Sequence, residues 1–268
     1  MSKKKLIPIG KSPLRKEIYA GLEQGFICLV QGQSGCGKTR LANNLLLEMM
    51  KVYGSLIQFA IIDPKQVGYF MYKDRCHVFP NQDDWLPLIE ALNNEMLRRY
   101  STMAENGQTE FILNEKNPFI LLVIDEMSAV TNNQQLLKKA RDTLLNQLIT
   151  YTNQCRQASM GLMMICQSCD SSVMPTVVRS NCSTRFAMKT AGSEQVRMIS
   201  GGREDECPCD LLTLPGEFYA ITSCTNNKWV RGRTWNLTLD NELDILKKHV
   251  KDKFTPYCLD WNNPEFVG

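Results

Sequence analysis

Residues 32 to 39 read Gly32-Gln33-Ser34-Gly35-Cys36-Gly37-Lys38-Thr39, matching G-x-x-x-x-G-K-S/T at every position. Such a run can cradle phosphate. Gly32, Gly35 and Gly37 tolerate backbone angles closed to other residues, so successive N–H groups can turn inward onto phosphate oxygens. Lys38 would reach the β- and γ-phosphates, and the Thr39 hydroxyl would ligate Mg²⁺. Arg40 joins the candidate nucleotide contacts, while the Cys36 thiol reads as no more than a small side chain. ATP and Mg²⁺ are the cofactors this pattern predicts.

A second chemical feature is Asp125-Glu126, which ends the apolar run Pro118-Phe119-Ile120-Leu121-Leu122-Val123-Ile124. At the carboxyl end of a central strand, Asp125 can share the Mg²⁺ with Thr39, and Glu126 can orient or deprotonate an attacking water. The pair turns a nucleotide site into a candidate hydrolase.

Several elements must position these groups. Phe26 to Val30 is an apolar strand ahead of the glycine loop, and residues 40 to 53 have helical character. That strand–loop–helix order is the context the motif requires. Further strands are predicted at Ser55 to Ile62, Gly161 to Gln167 and Thr184 to Lys189, with a late pair at Gly216 to Thr222 and Trp229 to Trp235. Helical periodicity marks Trp85 to Ala104. It also marks Gln134 to Gln157, where Leu136, Leu137, Leu144, Leu145, Leu148 and Ile149 recur on one face. Strands alternating with helices predict an α/β fold with a central, mostly parallel sheet flanked by helices. Residues 1–25 read as a basic lead-in with a short strand, 26–240 as the ATPase domain, and 241–268 as a short helical tail.

The 268 residues, 43% hydrophobic, can bury a full core, and a net charge of +3 permits a nucleic-acid partner without arguing for one. No apolar stretch reaches the roughly 18 residues that span a bilayer. With no signal core behind Lys3-Lys4-Lys5, a cytoplasmic location without membrane insertion is expected. The 11 cysteines lie scattered through apolar segments and read as free thiols. Cys166 and Cys169 with Cys207 and Cys209 could supply four zinc ligands, but Cys-x-Cys is a poor structural spacing. His77 and His249 are too few and too isolated for a histidine-based metal site. Ile199-Ser200-Gly201-Gly202-Arg203 imitates the signature of ABC transporters but follows Asp125, whereas in those proteins it precedes the equivalent strand.

Four more segments carry a resemblance. Asp63-Pro64-Lys65 ends a strand. Glu95-Met96-Leu97-Arg98-Arg99-Tyr100 lies on a helix. Cys155-Arg156-Gln157-Ala158-Ser159-Met160-Gly161-Leu162 precedes Ile165-Cys166-Gln167-Ser168, and Asn181-Cys182-Ser183-Thr184-Arg185-Phe186-Ala187 follows. In this order they resemble the FtsK/SpoIIIE–HerA superfamily of ring ATPases over about residues 7 to 222. The resemblance implies a RecA-like phosphate-loop NTPase that translocates double-stranded DNA as a homo-oligomeric ring, a hexamer. In such a ring Gln167 would sense the γ-phosphate and Arg156 would project into the neighbouring subunit's nucleotide, with Arg185 a second candidate for that task. Each arginine could instead be an ordinary packing or surface ion pair. Asp63 and Lys65 could support the site or a pore-facing loop, and Arg98 and Arg99 read as a solvated helix face.

Two departures from the family pattern stand out. Met163 replaces its histidine, and Ser168-Cys169-Asp170 replaces Arg-Pro-Ser. A septum-tethered chromosome pump is not expected, since neither an anchor region nor a DNA-reading winged helix is legible. A mobile-element, conjugation or genome-packaging motor is expected instead, with a relaxase, nuclease or portal protein as its partner. The alternatives are a type VII secretion-like protein-export ATPase and a non-motor ATP-binding scaffold.

Overall fold

A computed structural model of the chain describes residues 5–22, 25–72, 76–133, 136–237 and 239–249. The elements run β1 (Leu6–Lys11), β2 (Glu17–Gly21), β3 (Ile27–Gln31), α1 (Lys38–Tyr53), β4 (Ile57–Ile62) and β5 (His77–Phe79). Next come α2 (Trp85–Glu105), β6 (Phe119–Asp125), α3 (Met127–Thr131), α4 (Lys138–Gln154) and β7 (Met160–Cys166). The chain continues through α5 (Thr176–Ser180), β8 (Thr184–Ala187), α6 (Ser193–Ser200), β9 (Glu217–Ile221), β10 (Val230–Arg233) and α7 (Leu239–His249).

Every residue of β3, β4, β6 and β7 is buried, which is why these strands read as unbroken apolar runs. They are the middle of one ten-stranded sheet ordered β2-β1-β10-β9-β8-β3-β7-β6-β4-β5. The six strands from β8 to β5 are parallel; β9, β10, β1 and β2 extend the sheet antiparallel at one edge.

Side-chain alternation along each strand splits the core in two. Ile27 and Leu29 of β3 face a layer built from α2, α4, α5 and α6. Cys28 and Val30 face the other layer, formed by α1 with the β1–β2 hairpin and Leu246 of α7. The sheet therefore lies between two helical layers, as an α/β phosphate-loop fold requires.

Two strands were not anticipated, and one helix boundary needs correction. The segment from Arg15 to Leu22 contains a strand, β2, which pairs with β1. The three-residue β5 had no sequence signal, being too short to show a period. The helix expected from Gln134 begins at Lys138 (Gln134 itself lies outside the described residues), and Leu137 is 81% exposed instead of joining the apolar face. Among the described residues no helix is long and apolar enough to cross a membrane.

Candidate nucleotide site

The sheet order brings four strand ends side by side. β7 lies between β3 and β6, and β4 lies beyond β6, all parallel. The glycine loop after β3, Gln167 after β7, Asp125-Glu126 at the end of β6 and Asp63-Lys65 after β4 thus meet at one pole. Ligands in open parallel sheets bind at this carboxyl end.

The loop is fixed from both sides. Gly32 N–H donates to the Cys166 carbonyl (3.3 Å), Gln33 N–H to Lys189 (2.7 Å), and the Cys36 carbonyl accepts from Gly216 N–H (2.9 Å). Gly37 enters α1 at φ 100°, a left-handed angle that strains any residue with a Cβ. Cys36 is buried with its thiol pushed up by burial, against the pull of Lys38, in keeping with its reading as a small packed side chain. Ser34 and Gly35 are exposed, with open space beside Gly35.

The residues fit a nucleotide. The first turn of α1 has no side-chain cap and no acidic residue, so its N–H groups remain for an anion. Lys38 Nζ donates to the Gly32 and Gln33 carbonyls, at 2.7 and 3.0 Å, leaving its charge at the loop without a carboxylate partner among the described residues.

They also fit a divalent cation. A Cβ at Gly68 would lie 3.1 Å from both Asp125 Oδ2 and Thr39 Cγ2, and 3.9 Å from Asp63 Oδ2, so these side chains converge. Asp125 is buried and accepts no hydrogen bond among the described residues. Burial, then the Asp63 charge, raises its carboxyl from 3.8 to about 6, with Lys65 and Lys38 opposing. Tyr69 alongside has a buried hydroxyl without a hydrogen-bond partner among the described residues, its pKa pushed up by burial and by Asp125. A buried carboxylate lacking donors is a site short of positive charge.

Glu126 is arranged the opposite way. It adopts φ 76°, unusual outside glycine, as the residue entering α3. Ser128 Oγ donates to its Oε1 (2.7 Å); Gln167 Nε2 (3.3 Å) and Lys65 Nζ (3.4 Å) reach its Oε2. Burial alone would raise its pKa, but the Ser128 and Gln167 bonds and the Lys65 and Lys38 charges outweigh it and hold Glu126 below the ordinary glutamate value. It is therefore ionised at neutral pH.

Asp63, which the sequence left between two roles, anchors the loop after β4: it accepts from Gln66 N–H (3.1 Å), Gly68 N–H (3.2 Å) and Tyr69 N–H (3.3 Å). That anchoring lays Gly68 against Thr39 and Asp125. Neither Gly68 nor Ser128 gave a sequence signal.

Three further candidates have side chains engaged or placed elsewhere. Arg40 lies in the first turn of α1 next to Thr39, but its guanidinium pairs with the buried Glu242 of α7. Arg185 donates to the carbonyls of Cys182, Ile199 and Arg179, each at 3.2 Å, tying α5 and α6 to β8. Arg156 is exposed on the turn before β7, at the amino-terminal pole of the sheet, with its stem over Gly25. Arg99, read as part of a solvated face, is completely buried. The cysteine pairs do not form a centre either: Cys169 donates to Gln31, Cys209 contacts Thr190, and no group of three or more metal-binding side chains occurs among the described residues.

Residues 18–199 match the family described as poxvirus A32 protein. Curated relatives include DNA translocase SpoIIIE of Bacillus subtilis (strain 168), 25% identical over 235 residues, covering 79% of this chain and 29% of that protein. DNA translocase FtsK of Bacillus anthracis is 24% identical over 219 residues, covering 74% of this chain and 27% of that protein. The chain thus spans less than a third of the length of these relatives. Among solved structures, the pCW3 conjugation coupling protein TcpA with ATPgS superposes at a TM-score of 0.77 and 18% identity, covering 92% of this chain and 71% of that one. The cytoplasmic domain of the Thermomonospora curvata type VII secretion ATPase EccC gives 0.73 at 18% identity, covering 94% and 32%. The genome packaging NTPase B204 of Sulfolobus turreted icosahedral virus 2 gives 0.50 at 18% identity, covering 79% and 98%. These structural likenesses establish the fold. The family match, by contrast, extends over more than half of the sequence, and the chain belongs to the poxvirus A32 protein family of FtsK/HerA-like ATPases.

Proposed function

We propose that this chain hydrolyses ATP to translocate double-stranded DNA, working in the cytoplasm as a homo-oligomeric ring. The observation that carries the hydrolytic part is the contrast between adjacent carboxylates: Asp125 buried beside Thr39 with no hydrogen-bond donor among the described residues, and Glu126 held ionised by three donors. Thr39 and Asp125 would hold Mg²⁺, which when bound neutralises charge on the transferring phosphoryl group. Lys38 and the N–H groups of residues 32 to 39 bind and orient the phosphates. Glu126 takes the proton of the attacking water, and the Gln167 amide, within hydrogen-bonding distance of Glu126, keeps that carboxylate aimed. Arg156 would serve the nucleotide of a neighbouring copy.

DNA as cargo is supported by the sequence relatives, which are described as DNA translocases. The second reading, peptide export, is favoured by the likeness to EccC, but only at the level of fold. The test is steady-state ATP turnover with and without linear duplex DNA, beside Glu126→Gln. Turnover stimulated by duplex at low salt, and at least about a hundredfold slower in Glu126→Gln with nucleotide affinity retained, is expected. Turnover indifferent to DNA would remove the translocase reading and bring peptide cargo forward.

A further inference from the structure

The stretch Glu95 to Tyr100 of α2 takes no part at the nucleotide pole, yet its side chains are among the most constrained in the molecule. Arg99 is fully buried. Its Nε donates to Glu95 Oε1 (2.6 Å), its Nη1 to the carbonyls of Ala158 (2.9 Å) and Ser159 (3.2 Å), and its Nη2 to that of Pro118 (2.8 Å). The guanidinium carbon lies 4.7 Å from the centre of the Phe111 ring. Tyr100 Oη donates to the Gln154 carbonyl at 2.6 Å. Arg98 holds the carboxylate of Glu95 in place, Nε to Oε2 at 2.6 Å and Nη2 to Oε1 at 2.7 Å.

Three of these bonds, from Tyr100 Oη and Arg99 Nη1, end on the turn from Gln154 to Ser159, and the bonds to Glu95 and Pro118 hold the Arg99 guanidinium that makes two of them. Phe111 completes the grip, its N–H donating to the Gln157 carbonyl (3.2 Å) and its carbonyl accepting from Ser159 Oγ (2.9 Å). The turn is thus held at residues 154, 157, 158 and 159, with Ser159 kept at φ 53°. Arg156 stands exposed in the middle of the gripped segment. A buried guanidinium is a costly way to join two strands, since apolar side chains of similar volume do that without desolvating a charge. What the rigid fork supplies is a defined geometry for the carbonyls it binds.

We infer that Glu95, Arg99 and Tyr100 are positioning residues for Arg156, setting the turn so that its guanidinium meets the nucleotide of a neighbouring copy. The inference rests on the proposed role of Arg156 across the subunit boundary. A displacement of about 1 Å at a transition-state contact can cost up to about a hundredfold in rate, so removing one anchor has a measurable effect.

The test uses the full chain at saturating ATP, comparing Tyr100→Phe, Arg99→Lys, Arg156→Ala and the double variants of each with Arg156→Ala. Nucleotide affinity is read with a fluorescent ATP analogue. Tyr100→Phe removes one hydroxyl and keeps the ring, so folding is preserved even if Arg99→Lys fails to fold. The expected result is kcat lowered about fivefold by Tyr100→Phe, with affinity unchanged and no further loss on the Arg156→Ala background. Equal factors on both backgrounds would overturn the positioning role while leaving Arg156 intact. An Arg156→Ala variant that turns over like the parent would overturn the role of Arg156 and the positioning role with it.

Discussion

Asp125 and Glu126 are neighbours in sequence with opposite electrostatic surroundings, and that opposition has a measurable consequence for stability. The Asp125 carboxyl rises from 3.8 to about 6 because it is buried and faces Asp63. An acid whose folded-state pKa exceeds its unfolded value binds its proton more tightly when folded. Its contribution is fully present below about pH 4 and is lost as pH passes about 6. Without nucleotide, the protein at pH 7.5 therefore carries an ionised buried carboxylate at a cost of about 2–3 kcal/mol. Asp125→Asn should raise the melting temperature of the nucleotide-free protein at pH 7.5, with the gain closing towards pH 4. The same variant should lose most of the stabilisation that MgATP confers on the parent. Melting curves at the two pH values check this, and a gain independent of pH would show that the carboxyl titrates normally.

At the scale of elements, the loop after β4 shows how a strand end builds a site that its own residues barely announce. Asp63 folds Gln66 to Tyr69 back by accepting three N–H groups, and this sets Gly68 against Thr39 and Asp125. Gly68→Ala would put a Cβ 3.1 Å from both. MgATP affinity should fall roughly tenfold, with a much smaller loss for nucleotide in EDTA, since only the cation corner is crowded. Titrations with and without Mg²⁺ decide it; equal weakening in both would locate the strain elsewhere. The same scale governs α7, which rests on α1 through Leu246 and the Arg40–Glu242 pair. Arg40→Ala would leave a buried carboxylate unpaired, costing about 1–3 kcal/mol given that Arg40 is itself partly exposed. Amide exchange in Leu239–His249 should speed up more than in α1. Uniform exchange in both helices would contradict a local effect.

What could be read from the chain follows the same physics. β3, β4, β6 and β7 were legible because burial on both faces leaves unbroken apolar runs, and the glycine loop because phosphate binding constrains residue type position by position. β5 was not, because three residues cannot show a period. Arg99 was misread because a Glu–Arg pair four apart is ordinarily a surface feature, and only the approach of Pro118 and Ala158 makes it internal.

The glycine loop and Arg156 lie at opposite ends of β7, too far apart to meet one nucleotide. The glycine loop, Asp125 and Glu126 lie where the parallel strands end, and Arg156 lies where β7 begins. Seven residues of strand separate the poles, roughly 20 Å at about 3.3 Å per residue and well beyond the reach of an arginine side chain. If Arg156 contributes to turnover through charge neutralisation, it must do so on the site of another copy, and hydrolysis becomes a property of the assembly. Two variants impaired for different reasons should then complement each other. Lys38→Ala keeps a usable Arg156, and Arg156→Ala keeps a usable glycine loop. In an equimolar mixture that exchanges subunits freely, about a quarter of the boundaries join an intact loop to an intact arginine, so about a quarter of parental turnover should return. The measurement is ATP hydrolysis across mixing ratios, with recovery peaking near equal amounts. A mixture no more active than its components would mean that Arg156 acts within its own subunit or not at all. Two poles on one rigid sheet would then have to be linked by some motion of the chain, which the continuous hydrogen-bonded pairing of β3, β7 and β6 opposes.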